Sequence, residues 1–128
     1  MRLLLDTHSF LWAVGTPDRL SEAARRLLAD ADNEVMVSAV VAWKIAIKYA
    51  RRKLTLSEPP SVFVPYHMAK AAMVPLPITL EHALHVHTLP LRHGDPFDRL
   101  LVAQSQVEGL PIVTCDRHIA RYDVAVVW

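Results

Sequence analysis

The sequence predicts an α/β fold with a mainly parallel sheet, and three observations carry the prediction. Short apolar runs bounded by polar residues recur at Leu3–Leu5, Val35–Ser38, Pro111–Thr114 and Val124–Val127; such runs read as strands buried on both faces, the habit of parallel sheets. Segments with helical spacing lie between them, long enough for the crossovers that parallel pairing needs. Acids stand just past two of the runs, Asp6 after the first and Asp116 after the third. Open α/β sheets bind ligands beyond the carboxyl ends of their strands.

At 128 residues the chain is expected to form one domain, residues 1–128, burying roughly two-thirds of its unfolded surface. An apolar fraction of 52% and three tryptophans fit a packed core and exclude disorder. The net charge of +1 gives no global field for nucleic acid, so any basic surface is local. The single cysteine, Cys115, excludes an internal disulfide, suits a reducing cytosol and is expected as a small core residue. Three leucines before Asp6 are too few for a signal-peptide core, and no apolar run reaches membrane-spanning length. A cytoplasmic protein is expected, without repeats, low-complexity segments or a domain linker.

Each element then has its own signal. Phe10, Leu11 and Val14 give Thr7 to Val14 helical spacing, and Gly15-Thr16-Pro17 stops it. Ser21 caps a second helix, Glu22 to about Asp30, with Leu20, Ala23, Ala24, Leu27 and Leu28 on its apolar face. Ser38 caps a long third helix, from about Ala39 to Lys53, whose last turn holds Arg51, Arg52 and Lys53 where cations favour the helix dipole. Pro59 or Pro60 opens a fourth helix, and Pro65 predicts a kink or a later start. Two prolines confine Val74–Ile78 to an edge strand. Thr79 caps a fifth helix running to about Thr88. A turn at His93-Gly94-Asp95-Pro96 leads to a sixth, Asp98 to Glu108, which Gly109 ends.

The acids are the candidate chemistry. Asp6 and Asp116 follow strands, while Asp95 and Asp98 flank the start of the sixth helix. Each has an ordinary alternative role, since Asp is a common helix cap and turn residue. Gathering them is unfavourable by itself: two unit charges ~4 Å apart repel by about 4 kcal/mol at an effective dielectric of 20. A fold that gathers carboxylates commonly holds a divalent cation, and oxygen-only ligands suit Mg²⁺ or Mn²⁺.

Taken together, Asp6-Thr7-His8, Ser38-Ala39-Val40-Val41-Ala42-Trp43, Asp95-Pro96-Phe97-Asp98-Arg99 and Thr114-Cys115-Asp116 resemble, in order and spacing, the PIN-domain ribonucleases. The likeness covers essentially the whole chain and points to a VapC-type toxin of a toxin–antitoxin pair. The resemblance implies a three-layer α/β/α sandwich and a metal-dependent endoribonuclease. It makes Asp6, Asp98 and Asp116 the acids that hold Mg²⁺ or Mn²⁺ for in-line attack by water on an RNA phosphodiester. Asp95 becomes a fourth site acid and Thr114 a polar neighbour. A homodimer and a cognate antitoxin laid over the active-site groove are implied as partners.

One position departs from that pattern. The family carries a second acid, normally Glu, where this chain has Lys44, the only charge between Val35 and Ile47. An ammonium on so apolar a stretch is costly unless carboxylates pair with it, so Lys44 is expected to point into the acidic cluster, neutralising charge and competing with a cation. The ordinary alternative is a lysine whose head reaches water. Lys48, Arg51, Arg52, Arg92, Arg99, Arg117 and Arg121 offer phosphate contacts for RNA, of which Lys48, Arg51, Arg99 and Arg117 are the chosen candidates. His82, His85 and His87 do not share one helix face, which argues against a zinc site. Two rival readings stand. A phosphatase of the haloacid dehalogenase type wants a second Asp two residues after Asp6, where His8 stands. A catalytically inactive module that binds RNA or an antitoxin is made credible by Lys44.

Overall fold

The structure is a computed structural model, and it describes residues 1–91 and 94–128. Five strands form one sheet: β1 (Arg2–Leu5), β2 (Glu34–Ser38), β3 (Val74–Leu76), β4 (Ile112–Val113) and β5 (Val126–Val127). Their order is β3-β2-β1-β4-β5, and every neighbouring pair is parallel. Among the described residues seven α-helices flank the sheet: α1 (Thr7–Gly15), α2 (Glu22–Ala29), α3 (Ala39–Ala50), α4 (Pro60–Lys70), α5 (Leu80–His85), α6 (Pro96–Glu108) and α7 (Arg117–Ala120).

The topology fixes where a site belongs. From β1 the chain steps outward to β2 and β3, then crosses back to β4 and steps outward the other way to β5. Parallel crossovers are right-handed, so steps in opposite directions put their helices on opposite faces. The three-layer sandwich follows. The reversal falls between β1 and β4, the switch point at which open sheets bind ligands. Leu3, Leu4 and Leu5 of β1, with Ile112 and Val113 of β4, have no exposed surface, as strands covered on both faces require.

Several boundaries move for physical reasons. The third helix ends at Ala50, three residues before Lys53, because Arg52 takes a left-handed conformation (φ 58°) and the Lys53 N–H turns back to the Lys48 carbonyl. Arg51 and Arg52 therefore close the helix instead of lying within it. Pro65 stays inside α4, which starts at Pro60, so the later start does not occur. The fifth helix is shorter than expected: α5 ends at His85, and a single 3₁₀ turn carries the chain to Thr88. The short α7 and a 3₁₀ turn at Pro17–Arg19 carry no sequence signal beyond a capping residue or a proline. β3 is an edge strand, as its prolines require. Arg92 and His93 lie outside the described residues.

Candidate active site

Asp6 ends β1 and caps α1. Its Oδ1 accepts the Ser9 N–H at 2.8 Å, and its Oδ2 accepts the Thr114 hydroxyl at 2.5 Å. Thr114, just past β4, also accepts the Asp116 N–H at 2.9 Å, so one hydroxyl ties the ends of neighbouring strands together. Asp116 caps α7 through the His118 N–H at 2.8 Å. The Ser9 hydroxyl donates to the Val113 carbonyl at 2.7 Å and locks α1 against β4. Asp6 and Thr114 are both buried. Capping and site-building are thus one arrangement here: each acid spends an oxygen on a helix N-terminus, where a carboxylate is favoured.

The second group of charges surrounds Lys44. Asp95 caps α6, its Oδ1 accepting the N–H groups of Phe97 at 2.8 Å and Asp98 at 3.3 Å. Its Oδ2 faces the Lys44 ammonium at 3.2 Å, and Asp98 Oδ1 lies 3.7 Å from the same nitrogen. The side chains of Lys44, Asp95 and Asp98 are only 15%, 27% and 13% exposed. Lys44 therefore does not reach for water. No ion pair joins it to Asp6 or Asp116 among the described residues. Burial pushes the Asp95 carboxyl up, but the Lys44 charge, the two helix N–H groups and the Lys44 hydrogen bond together outweigh it, holding the group below its ordinary 3.8.

The other candidates divide. Lys48 and Arg51 stay on or beside α3 with no carboxylate partner among the described residues. Arg99 is committed elsewhere: its guanidinium donates to the Pro90 carbonyl at 2.7 Å and the Tyr122 hydroxyl at 3.2 Å, pinning the segment before α6. Arg117 is exposed on α7. Cys115 is exposed and not in the core as expected, because β4 ends at Val113 and the chain has already turned outward. Partial desolvation and the charges of Asp6 and Asp116 push its thiol up. His82 is fully buried and completes a capping box with Thr79, its Nε2 2.9 Å from Glu108 Oε1. His85 meets Gln106 instead. Sequence reasoning missed Ser9 and Gln104. Gln104 accepts the Ser38 hydroxyl and so ties α6 to the start of α3; in sequence it only opens the polar run Gln104-Ser105-Gln106, which does not single it out.

The metal that the family pattern implies can be tested against these residues. Among the described residues, no three His, Cys, Asp or Glu side chains are arranged to hold one metal ion. Lys44 already supplies a cation to Asp95 and Asp98. Among the described residues, the donors as they stand do not fit a resident divalent ion.

The PIN domain family model matches residues 3–125. The chain belongs to the PIN-domain family. This PIN domain is 30% identical over 120 residues to Ribonuclease VapC22 of Mycobacterium tuberculosis, covering 91% of this chain and 88% of that protein. It is 36% identical over 61 residues to Ribonuclease VapC16 of the same organism, covering 48% of this chain and 43% of that relative. Among solved structures it resembles VapBC2 from Rickettsia felis bound to a DNA fragment from its promoter, with a TM-score of 0.72, 13% identity and coverage of 99% and 98%. That likeness shows the fold.

Proposed function

We propose that this PIN domain is the ribonuclease toxin of a toxin–antitoxin pair, an endoribonuclease that hydrolyses RNA phosphodiester bonds in the cytoplasm. The observation that carries the reading is the match to Ribonuclease VapC22 over 88% of that protein's length. Acids at the switch point of the sheet agree with it. The site consists of Asp6, Asp98 and Asp116, with Asp95 as a fourth acid and Lys44 at the altered position. Its partners are RNA, a cognate antitoxin and a second copy of the chain; no helix among the described residues is long and apolar enough to cross a membrane.

Lys44 impairs the activity of this chain. Its ammonium holds Asp95 and Asp98 where the competent enzyme needs carboxylates free for Mg²⁺ or Mn²⁺. The same ion pairs favour a second reading, a module that binds RNA or an antitoxin without cleaving.

A paired assay separates the two. The protein and its Lys44→Glu variant are incubated with single-stranded RNA in Mg²⁺, in Mn²⁺ and in chelator, with Asp6→Asn added to the variant as a control. Metal-dependent cleavage that appears on Lys44→Glu and disappears on Asp6→Asn is expected. No cleavage by the Lys44→Glu variant across RNAs of varied sequence would overturn the ribonuclease reading in favour of the binding module.

A further inference from the structure

We propose that Trp43 is a stacking platform for one unpaired base of single-stranded RNA, seated beside the Lys44–Asp95–Asp98 cluster. The proposal rests on the ribonuclease reading and names the form of its substrate. α3 buries Val40, Val41 and Ile45, yet leaves the indole of Trp43 51% exposed. The ring is exposed but held. It packs edge-to-face on Phe97, with centroids 4.8 Å apart and planes at 67°. Phe97 lies in the first turn of α6, and its N–H is bonded to Asp95; the Lys44 ammonium sits 5.9 Å from the same ring. Phe97 thus meets the indole with its ring and Asp95 with its N–H, so a base on Trp43 meets a surface ordered in advance.

The cations that follow along the same helix say what would cover it. At 1.5 Å per residue, Lys48 and Arg51 follow Trp43 about 8 and about 12 Å along α3 and its closing turn. Among the described residues, neither Lys48, Arg51 nor Arg52 belongs to an ion pair, in a chain whose net charge is only +1. A protein face laid on Trp43 has to desolvate those cations or match them with acids. A polynucleotide supplies a phosphate for the cations and an apolar ring for the indole in each repeat. In a duplex the bases are already stacked on each other, so only a single strand can use the indole.

The test measures binding in chelator, where cleavage does not intervene. Fluorescein-labelled oligoadenosine, the same strand with one abasic position in turn, and its duplex are titrated by anisotropy against the full chain, Trp43→Phe and Trp43→Leu. Trp43→Leu is expected to weaken single-strand binding about 5- to 160-fold, the range of one base–aromatic stack, while Trp43→Phe retains most of it. The slope of log affinity against log salt should not change, because no phosphate contact is lost. An abasic position should reproduce the loss on the unaltered chain and add nothing on Trp43→Leu, and duplex binding should be the same for all three proteins. If Trp43→Leu does not fold, Trp43→Phe and the abasic strands still decide. Equal single-strand affinity for the folded proteins, or abasic strands that bind the unaltered chain normally, would overturn the platform alone. Loss of self-association or of an acidic peptide on Trp43→Leu, with RNA binding intact, would assign the indole to a protein contact. No single-strand affinity in the unaltered chain would remove the ribonuclease reading together with the platform.

Discussion

Lys44→Met removes the ammonium and keeps a side chain of similar length, which isolates the two ion pairs. At separations of 3.2 and 3.7 Å, the gross attractions are about 5 and about 4 kcal/mol at an effective dielectric of 20. Desolvation of three partly buried charges offsets most of that. Exposed pairs are worth about 0.5 kcal/mol, and breaking a buried one costs about 4 kcal/mol. These side chains, 13% to 27% exposed, lie between those limits, so about 2 kcal/mol is expected at neutral pH. The sign of the pH dependence follows from Asp95. Its carboxyl lies below 3.8 in the folded protein. A depressed carboxylate contributes stability that is present above its unfolded value and lost as the pH falls through its folded value. Urea unfolding of the two proteins should therefore differ fully at pH 7, and the difference should close as the pH drops below 3.8. Lys44→Glu should be less stable than Lys44→Met without metal, because a third negative charge joins two. It should then gain about 2.7 kcal/mol from Mg²⁺ or Mn²⁺ at a hundredfold excess over the dissociation constant. Equal stability of Lys44→Met and the unaltered chain at pH 7 would refute the ion-pair argument. Equal metal response of Lys44→Glu and the unaltered chain would refute the competition argument.

Thr114→Val deletes the hydroxyl shared by Asp6 and the Asp116 N–H, and urea unfolding should show a loss of about 2 kcal/mol, since a buried carboxylate oxygen loses its donor. Gly109 ends α6 at φ 68°, and a Cβ added there would meet no atom within 4 Å; Gly109→Ala should cost about 1 kcal/mol by thermal unfolding, all of it conformational. Gln104→Leu strands the Ser38 hydroxyl and should cost about 2 kcal/mol in the same assay. Light scattering at roughly ten micromolar, where a marginal dimer still forms, should give the mass of two chains; a single-chain mass would count against the homodimer.

The parts of the fold that were legible in the sequence are those fixed by local chemistry. Leu3–Leu5 followed by Asp6 reads as a buried strand ending on an acid and is one, and Ser21, Ser38 and Thr79 each cap the helix expected after them. The prolines of β3 forced it to an edge. What failed was set by contacts that have no local mark. Lys53 fell outside α3 because Arg52 adopts a left-handed turn, which arginine does not announce. Cys115 was misplaced because a strand only two residues long cannot be sized from a four-residue apolar run. In the site, Lys44 was conspicuous as a lone charge in an apolar helix, and the structure puts it on acids. Its partners are Asp95 and Asp98, and not the Asp6 and Asp116 also expected, because α3 packs on α6. Arg99 looked like a phosphate contact and is taken up by carbonyls instead.

Three of the four acids also cap helices. Asp6 holds α1, Asp95 holds α6 and Asp116 holds α7. Each cap is worth about 1 kcal/mol of stability whether or not its carboxylate does chemistry. Their presence in a sequence therefore testifies to architecture before it testifies to activity. Position 44 caps nothing and sits in mid-helix, so a change there leaves every helix N-terminus intact and costs only the two ion pairs. In mutagenesis, Asp→Asn, which can keep the cap, separates charge from folding where Asp→Ala confounds them.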